Sequence, residues 1–258
     1  MSTFLFDKII FGPVKSRRLG VSLGINLLPT TAKVCSFNCI YCECGFNTPA
    51  KGAYIPTRDE VKTELIATLS AMKEANQPLD VITFAGNGEP TIHKDFAGII
   101  DDTIAARDAY FPDVKISVLS NSTQIDKPSV FEALQRVDNN ILKLDSAVDT
   151  TLRLLNQPGS TTVNAAWFIE HLKKFEGKLI IQTMFLHGKT GGQTIDNTTP
   201  EEIGAWLEAL QQIKPKQVMI YTLDREAPTQ TLQKATHEEL TSIAQRIKSQ
   251  GFDVLIGE

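Results

Sequence analysis

The chain has 258 residues, 42% hydrophobic and 22% charged, with a net charge of −4. That length supports one large domain, 1–258, with a sizeable core, and the charge balance announces no nucleic-acid partner. No apolar run approaches the roughly 18–20 residues of a membrane helix. MSTFLFDKIIFGP also lacks the basic start and unbroken apolar stretch of a signal peptide. The expectation is therefore a cytoplasmic protein with no membrane partner, whose thiols stay reduced.

Residues 1–19 read as an N-terminal extension, and GVSLGINLL (20–28) as the first strand. CSFNCIYCECG (35–45) follows and gathers all four cysteines of the chain within ten residues. TRDEVKTELIATLSAMKEA then has helical period and opens on a capping box, Thr57 with Glu60. Beyond it, apolar runs rich in β-branched residues alternate with helical segments. The strands are VITFA (81–85), KISVLS (115–120), NILKLD (140–145), LIIQTMF (179–185) and QVMIYTL (217–223). Helices are expected over 93–107, 128–136 and 148–175, the last broken at Pro158-Gly159. Two more open on Thr199 with Glu202 and on Thr236 with Glu239, both read as capping boxes. HGKTGGQTIDN (187–197) reads as a glycine-rich loop over the rim, and DVLIGE as a short last strand.

Six strand–helix units argue for a parallel sheet with right-handed crossovers. A closed barrel of this kind uses eight units, so six suggest an α/β fold that is an open partial (β/α)6 barrel or else an open doubly wound sheet. Its core would span 20–223, with 224–258 as a C-terminal loop and helix. The polar and glycine-rich segments follow strand ends and so gather at one rim, where such folds place their sites.

Cys35, Cys39 and Cys42 have the spacing C-x3-C-x2-C. Thiolates suit zinc or iron–sulfur clusters. Structural zinc draws its ligands from two separated hooks, and no second hook exists here. A complete four-iron cluster takes four cysteines; three would leave one iron open, as a catalytic centre requires. Cys44, two residues past Cys42, reads as a bystander. The alternative is a non-catalytic iron–sulfur or zinc electron-transfer module in which Cys44 closes the coordination.

The C-x3-C-x2-C hook with Tyr41 before its third cysteine, joined to GNGEP (86–90) after the next strand, resembles the radical S-adenosylmethionine (SAM) enzymes. The resemblance covers nearly the whole chain. GPVKSRRLGVSLGINLLP also resembles the subgroup related to tRNA wyosine-type synthases. It implies a [4Fe–4S] cluster on Cys35, Cys39 and Cys42, whose fourth iron chelates the methionine end of SAM. It implies that Tyr41 lies near the adenine and that Gly86, Asn87, Gly88 and Glu89 form the motif contacting the methionine amine. Asn87 stands where the family often has a small residue. Ser120, Asn121, Lys143, Asp145 and Gln182 are implied as further polar contacts. SAM itself carries a cationic amine and an anionic carboxylate, which suits an acceptor such as Glu89 beside a glycine-rich turn.

Arg225 on the rim and Arg17 are candidate substrate contacts; Arg17 and Arg18 could cap the site or hold an anionic substrate, although they read first as a solvated pair. His93, within GEPTIH, reads as structural near a helix start. The implied partners are a flavodoxin- or ferredoxin-like one-electron donor and a small-molecule, peptide or RNA substrate. Two departures set the chain apart from the wyosine-type synthases: it has no cysteines for a second cluster, and its balance is acidic where RNA binding favours a basic face. A glycyl-radical-activating role fits the compact length.

Overall fold

A computed structural model describes residues 4–48, 52–225 and 227–257. The elements in chain order are β1 (Ile10–Ser16), β2 (Gly20–Ile25), α1 (Arg58–Glu74), β3 (Val81–Phe84), α2 (Phe96–Tyr110) and β4 (Lys115–Ser120). Then come α3 (Pro128–Gln135), β5 (Asn139–Lys143), α4 (Asp149–Asn156), α5 (Ala165–Lys173), β6 (Ile180–Met184) and the pair β7 (Leu186–Thr190) and β8 (Gln193–Asp196). The chain closes with α6 (Pro200–Ile213), β9 (Gln217–Tyr221), β10 (Leu232–Lys234), α7 (His237–Ser249) and β11 (Val254–Gly257).

The main sheet has eight strands in the order β1-β2-β3-β4-β5-β6-β9-β11. From β2 to β11 every pairing is parallel; β1 joins β2 antiparallel. Six strand–helix units curl into the partial barrel that the sequence indicates. VITF of β3 is buried at every position and IIQTM of β6 likewise, as a strand covered on both faces requires. The core runs through these strands to the inner faces of the helices, for example Val61, Leu65, Leu69 and Met72 of α1.

Several expectations are corrected. The segment read as an extension supplies β1, whereas the last residues supply β11, the short last strand that the sequence suggested. The segment 187–197 is not a loop: β7 and β8 form a hairpin, joined by β10 into a separate three-stranded sheet. Thr190 pairs with Gln193 across Gly191 and Gly192, both at positive φ, the two-residue turn that favours glycine. The helix expected over 93–107 begins at Phe96 and runs to Tyr110, after a short 3-10 turn Pro90–Ile92. His93 is buried and structural, with Nε2 bonded to the Pro56 carbonyl and Nδ1 accepting from the Asp95 amide. The boxes at Thr57 and Thr236 form. At Thr199 only half does, because the Glu202 carboxylate turns inward to accept from Ser146 and Thr151.

The turn between β1 and β2 reaches the far edge of the open sheet. Arg17 pairs with Asp224 at 3.5 Å, Arg18 lies over the Tyr221 ring at 4.6 Å, and Leu19 packs on Ile141, Ile180 and Met219. The expected solvated pair is thus split: Arg17 is exposed, while Arg18 is half-buried against β9. Among the described residues no helix is long and apolar enough to cross a membrane.

Candidate active site

The cysteine loop and the glycine motif are held together by backbone. Val34 N–H donates to the Asn87 carbonyl at 2.9 Å, and Glu89 N–H donates to the Val34 carbonyl at 3.1 Å. Gly88 sits at φ +138, and a Cβ there would lie 1.8 Å from the Val34 oxygen. Only glycine fits this crossing. A Cβ on Gly86 would strike the Asn26 side chain at 2.2 Å. Asn26 is buried, bridges the backbone of Leu28 in both directions and accepts from the Asn87 amide. Gly88→Ala is expected to lower stability by about 2 kcal/mol or more, a fall in melting temperature of about 4–8 °C, with reduced iron loading; thermal unfolding and iron analysis check it.

These elements enclose a cavity of about 300 Å³ at the carboxyl ends of the strands, at the lower end of the roughly 300–1,000 Å³ typical of ligand sites. Cys35, Cys39, Tyr41, Cys42 and Cys44 line one side, and Gly86, Gly88 and Glu89 the next. Ser120 and Asn121 of the β4 end, Lys143, Gln182, Arg17 and Arg225 complete the set of expected residues that meet there. Two expected residues do not line it. Asn87 is fully buried, its carboxamide joined to both backbone groups of Phe6 and to the Pro29 carbonyl, so it fastens the N-terminal segment. Asp145 lies behind Tyr41, accepting a short hydrogen bond from its hydroxyl. A second cavity of about 490 Å³ abuts this one, sharing Cys42, Glu43, Leu223 and Arg225; it contains neither Glu89 nor the other two hook cysteines.

Glu89 is 2% exposed. Its Oε1 accepts from Thr91 and Ser120, and its Oε2 accepts from the Asn121 amide at 2.6 Å. Burial raises its pKa against these bonds. No cation is paired with it among the described residues. A buried carboxylate held by hydrogen bonds alone, facing a cavity, is complementary to a ligand ammonium.

The thiols are differentiated. Burial, reinforced by Glu89, pushes Cys35 up to about 12, and burial pushes Cys39 up to about 11. A hydrogen bond from Cys44 pulls Cys42 down to about 6, while Cys44, as the proton holder, is raised. The Gly86 carbonyl, 3.7 Å from Cys44 Sγ, is an alternative acceptor for that one proton. Two carboxamides reach the other sulfurs: Asn121 Nδ2 lies 3.4 Å from Cys35 Sγ, and Asn156 Nδ2 lies 3.4 Å from Cys39 Sγ. Asn156 was missed by sequence reasoning. It ends α4, immediately before the Pro158-Gly159 break, where the chain pairs with the cysteine loop through Asn38, Ile40 and Gly159.

Lys143 donates to the hydroxyls of Tyr41 (3.0 Å) and Tyr221 (3.2 Å) and pairs with Asp145 at 3.5 Å. Burial works against its charge, but Asp145, then Tyr221 and Cys39, outweigh it and hold the ammonium above the usual lysine range. Burial and then Asp145 push the Tyr41 hydroxyl well up. Tyr41 is therefore a neutral donor, fixed between Asp145, Lys143 and Asn156.

The donor set fits an iron–sulfur cluster. Among the described residues no three His, Cys, Asp or Glu side chains are grouped to hold one metal ion. Three soft thiols spread along a cavity wall can instead take one iron each.

The curated relative "GTPase Obg" of Brachyspira hyodysenteriae is 32% identical over 246 residues, which is 92% of this chain and 33% of that protein. The chain thus spans a third of that relative's length. Among solved structures, a radical SAM methyltransferase from Sphaerobacter thermophilus superposes with a TM-score of 0.66 at 15% identity, covering 91% of this chain and 65% of that one. TYW1 with a lysine–pyruvate adduct bound superposes at 0.56 and 14% identity, covering 88% and 73%. At these identities the structures speak to the fold. The model of the Radical SAM superfamily matches residues 30–198, well over half of the sequence, and the chain belongs to that superfamily and is an enzyme of that class.

Proposed function

We propose that Cys35, Cys39 and Cys42 hold a [4Fe–4S] cluster, that SAM binds beside it, and that the enzyme takes a hydrogen atom from a substrate at the same barrel mouth. The observation that supports this most is the convergence of three thiols and one buried, cation-free carboxylate on a single cavity. When bound, cluster and SAM together supply a one-electron reductive cleavage that yields methionine and a 5′-deoxyadenosyl radical.

The residues of the chain bind and shield. Glu89, whose Oε2 accepts only the Asn121 amide among the described residues, would accept from the SAM ammonium. Ser120, Thr91 and the Asn121 amide hold that carboxylate in place. The Gly86–Gly88 turn brings backbone close to the ligand because no side chain intervenes. Tyr41 and Gln182 form the wall for the adenosyl portion. Asn121 and Asn156 donate to two of the sulfurs, which raises the reduction potential of a bound cluster. The surrounding strands keep water from the reacting atoms. A flavodoxin- or ferredoxin-like protein supplies the electron, and the substrate is a small molecule, peptide or RNA, with Arg17 and Arg225 at its entrance.

A closed-site electron carrier would need Cys44 as a fourth ligand. Its bond to Cys42 or to the Gly86 carbonyl favours a supporting role instead. Cys44→Ala is expected to keep the wild-type iron load and SAM affinity within about threefold. Iron analysis, electron paramagnetic resonance and SAM titration check this. Loss of the cluster in Cys44→Ala would favour the electron carrier.

A further inference from the structure

The charges around the cavity do not all cancel. Arg225 pairs with Glu43 at 2.8 Å, Arg17 with Asp224 at 3.5 Å, and Lys143 with Asp145 at 3.5 Å. Two lining cations have no carboxylate partner among the described residues: Lys33 and Arg18. Lys33 is buried, donates to the Gly45 carbonyl at 2.8 Å and lowers the pKa of Cys42; it belongs with the cysteine loop and offsets thiolate charge. Arg18 lies elsewhere. Its guanidinium lies over Tyr221, its stem runs against Gly257, and its Nη1 is buried with no hydrogen-bond partner.

A buried guanidinium donor without an acceptor has lost its hydration with nothing to offset the loss. Here the residue is brought in by the β1–β2 turn, braced by the Arg17–Asp224 pair on one side and by Leu19 in the inner packing on the other. The turn thus holds a charged fork at the cavity, on the β9 side. The methionine amine is assigned to Glu89, the methionine carboxylate would be taken by the open fourth iron, and the cysteine loop has Lys33, so neither cofactor requires Arg18.

We infer that Arg18 is the seat for an anionic group of the substrate, a carboxylate or a phosphate. This rests on the function proposed above. A planar guanidinium matches either oxyanion in two-point contact, and stacking on Tyr221 fixes the plane in which that contact forms. A substrate anchored there presents the rest of its body toward the cysteine side of the cavity.

The test is binding of inorganic phosphate and of acetate to the cluster-reconstituted protein at fixed ionic strength, followed by calorimetry and by the unfolding midpoint. Wild type, Arg18→Gln, Arg18→Lys and Lys33→Gln are compared. The expected result is saturable binding of at least one anion, weakened about tenfold by Arg18→Gln and less by Lys33→Gln, with SAM binding alongside it. A preference for phosphate over acetate identifies a phosphorylated substrate, and the reverse a carboxylic acid. If Arg18→Gln fails to fold, Arg18→Lys carries the test, since an ammonium lacks the fork: reduced affinity supports the seat and unchanged affinity overturns it. No saturable binding, equal weakening by Arg18→Gln and Lys33→Gln, or competition between the anion and SAM also overturns it. Wild-type protein that binds the anion through Arg18 but never binds SAM would defeat the proposed function and leave the anion seat standing.

Discussion

Cys39→Ala is expected to abolish the cluster and, with it, all reductive cleavage of SAM. The residue is buried, sits centrally in the hook, and its sulfur receives the Asn156 carboxamide. Removing it leaves two cysteines of the hook, and Cys44 is engaged with Cys42 or Gly86. The reconstituted variant should lack the visible absorbance and the reduced-state paramagnetic signal of wild type, and 5′-deoxyadenosine should fall to background. Retention of a full iron load would show that the hook is not the ligand set.

Glu89→Gln is expected to keep the cluster but weaken SAM. The change removes the one uncompensated carboxylate of the cavity. It also places an amide N–H against the Asn121 amide or the Ser120 hydroxyl, which now donate to Glu89. Removing one member of a buried charge pair costs about 2–5 kcal/mol, which is roughly 30-fold to several-thousand-fold in the SAM dissociation constant. Equilibrium binding of SAM to reconstituted protein measures it. An unchanged affinity with an intact cluster would remove Glu89 from the cofactor site.

Much of the fold was legible because the barrel strands are buried on both faces and read as unbroken apolar runs. Two capping boxes marked helix starts correctly. β1 escaped because IFGPVKS is an exposed edge strand carrying Gly12 and Pro13, residues that argue against a strand except at an edge. The β7–β8 hairpin escaped because HGKTGGQTIDN is polar and half exposed, although the Gly191-Gly192 pair was a usable turn signal. That Cys35, Cys39, Cys42 and Glu89 meet at one cavity was anticipated by spacing and local motif. Asn156 and Asn26 were not, because each acts across a tertiary contact: Asn156 meets Cys39 117 positions away, and Asn26 meets Asn87 61 positions away. Asn87 shows the limit of a motif. Its neighbours line the cavity, while its own side chain turns away to hold Phe6. Arg18 carries the same lesson in reverse, since a sequence pair of arginines is split by the turn into one exposed and one half-buried.

The most direct measurement is 5′-deoxyadenosine formation by protein reconstituted without oxygen, given SAM and a strong one-electron reductant, with Cys39→Ala in parallel. The account predicts product from wild type and none from the variant. SAM left intact by a wild-type protein that carries a complete cluster and binds SAM would contradict it.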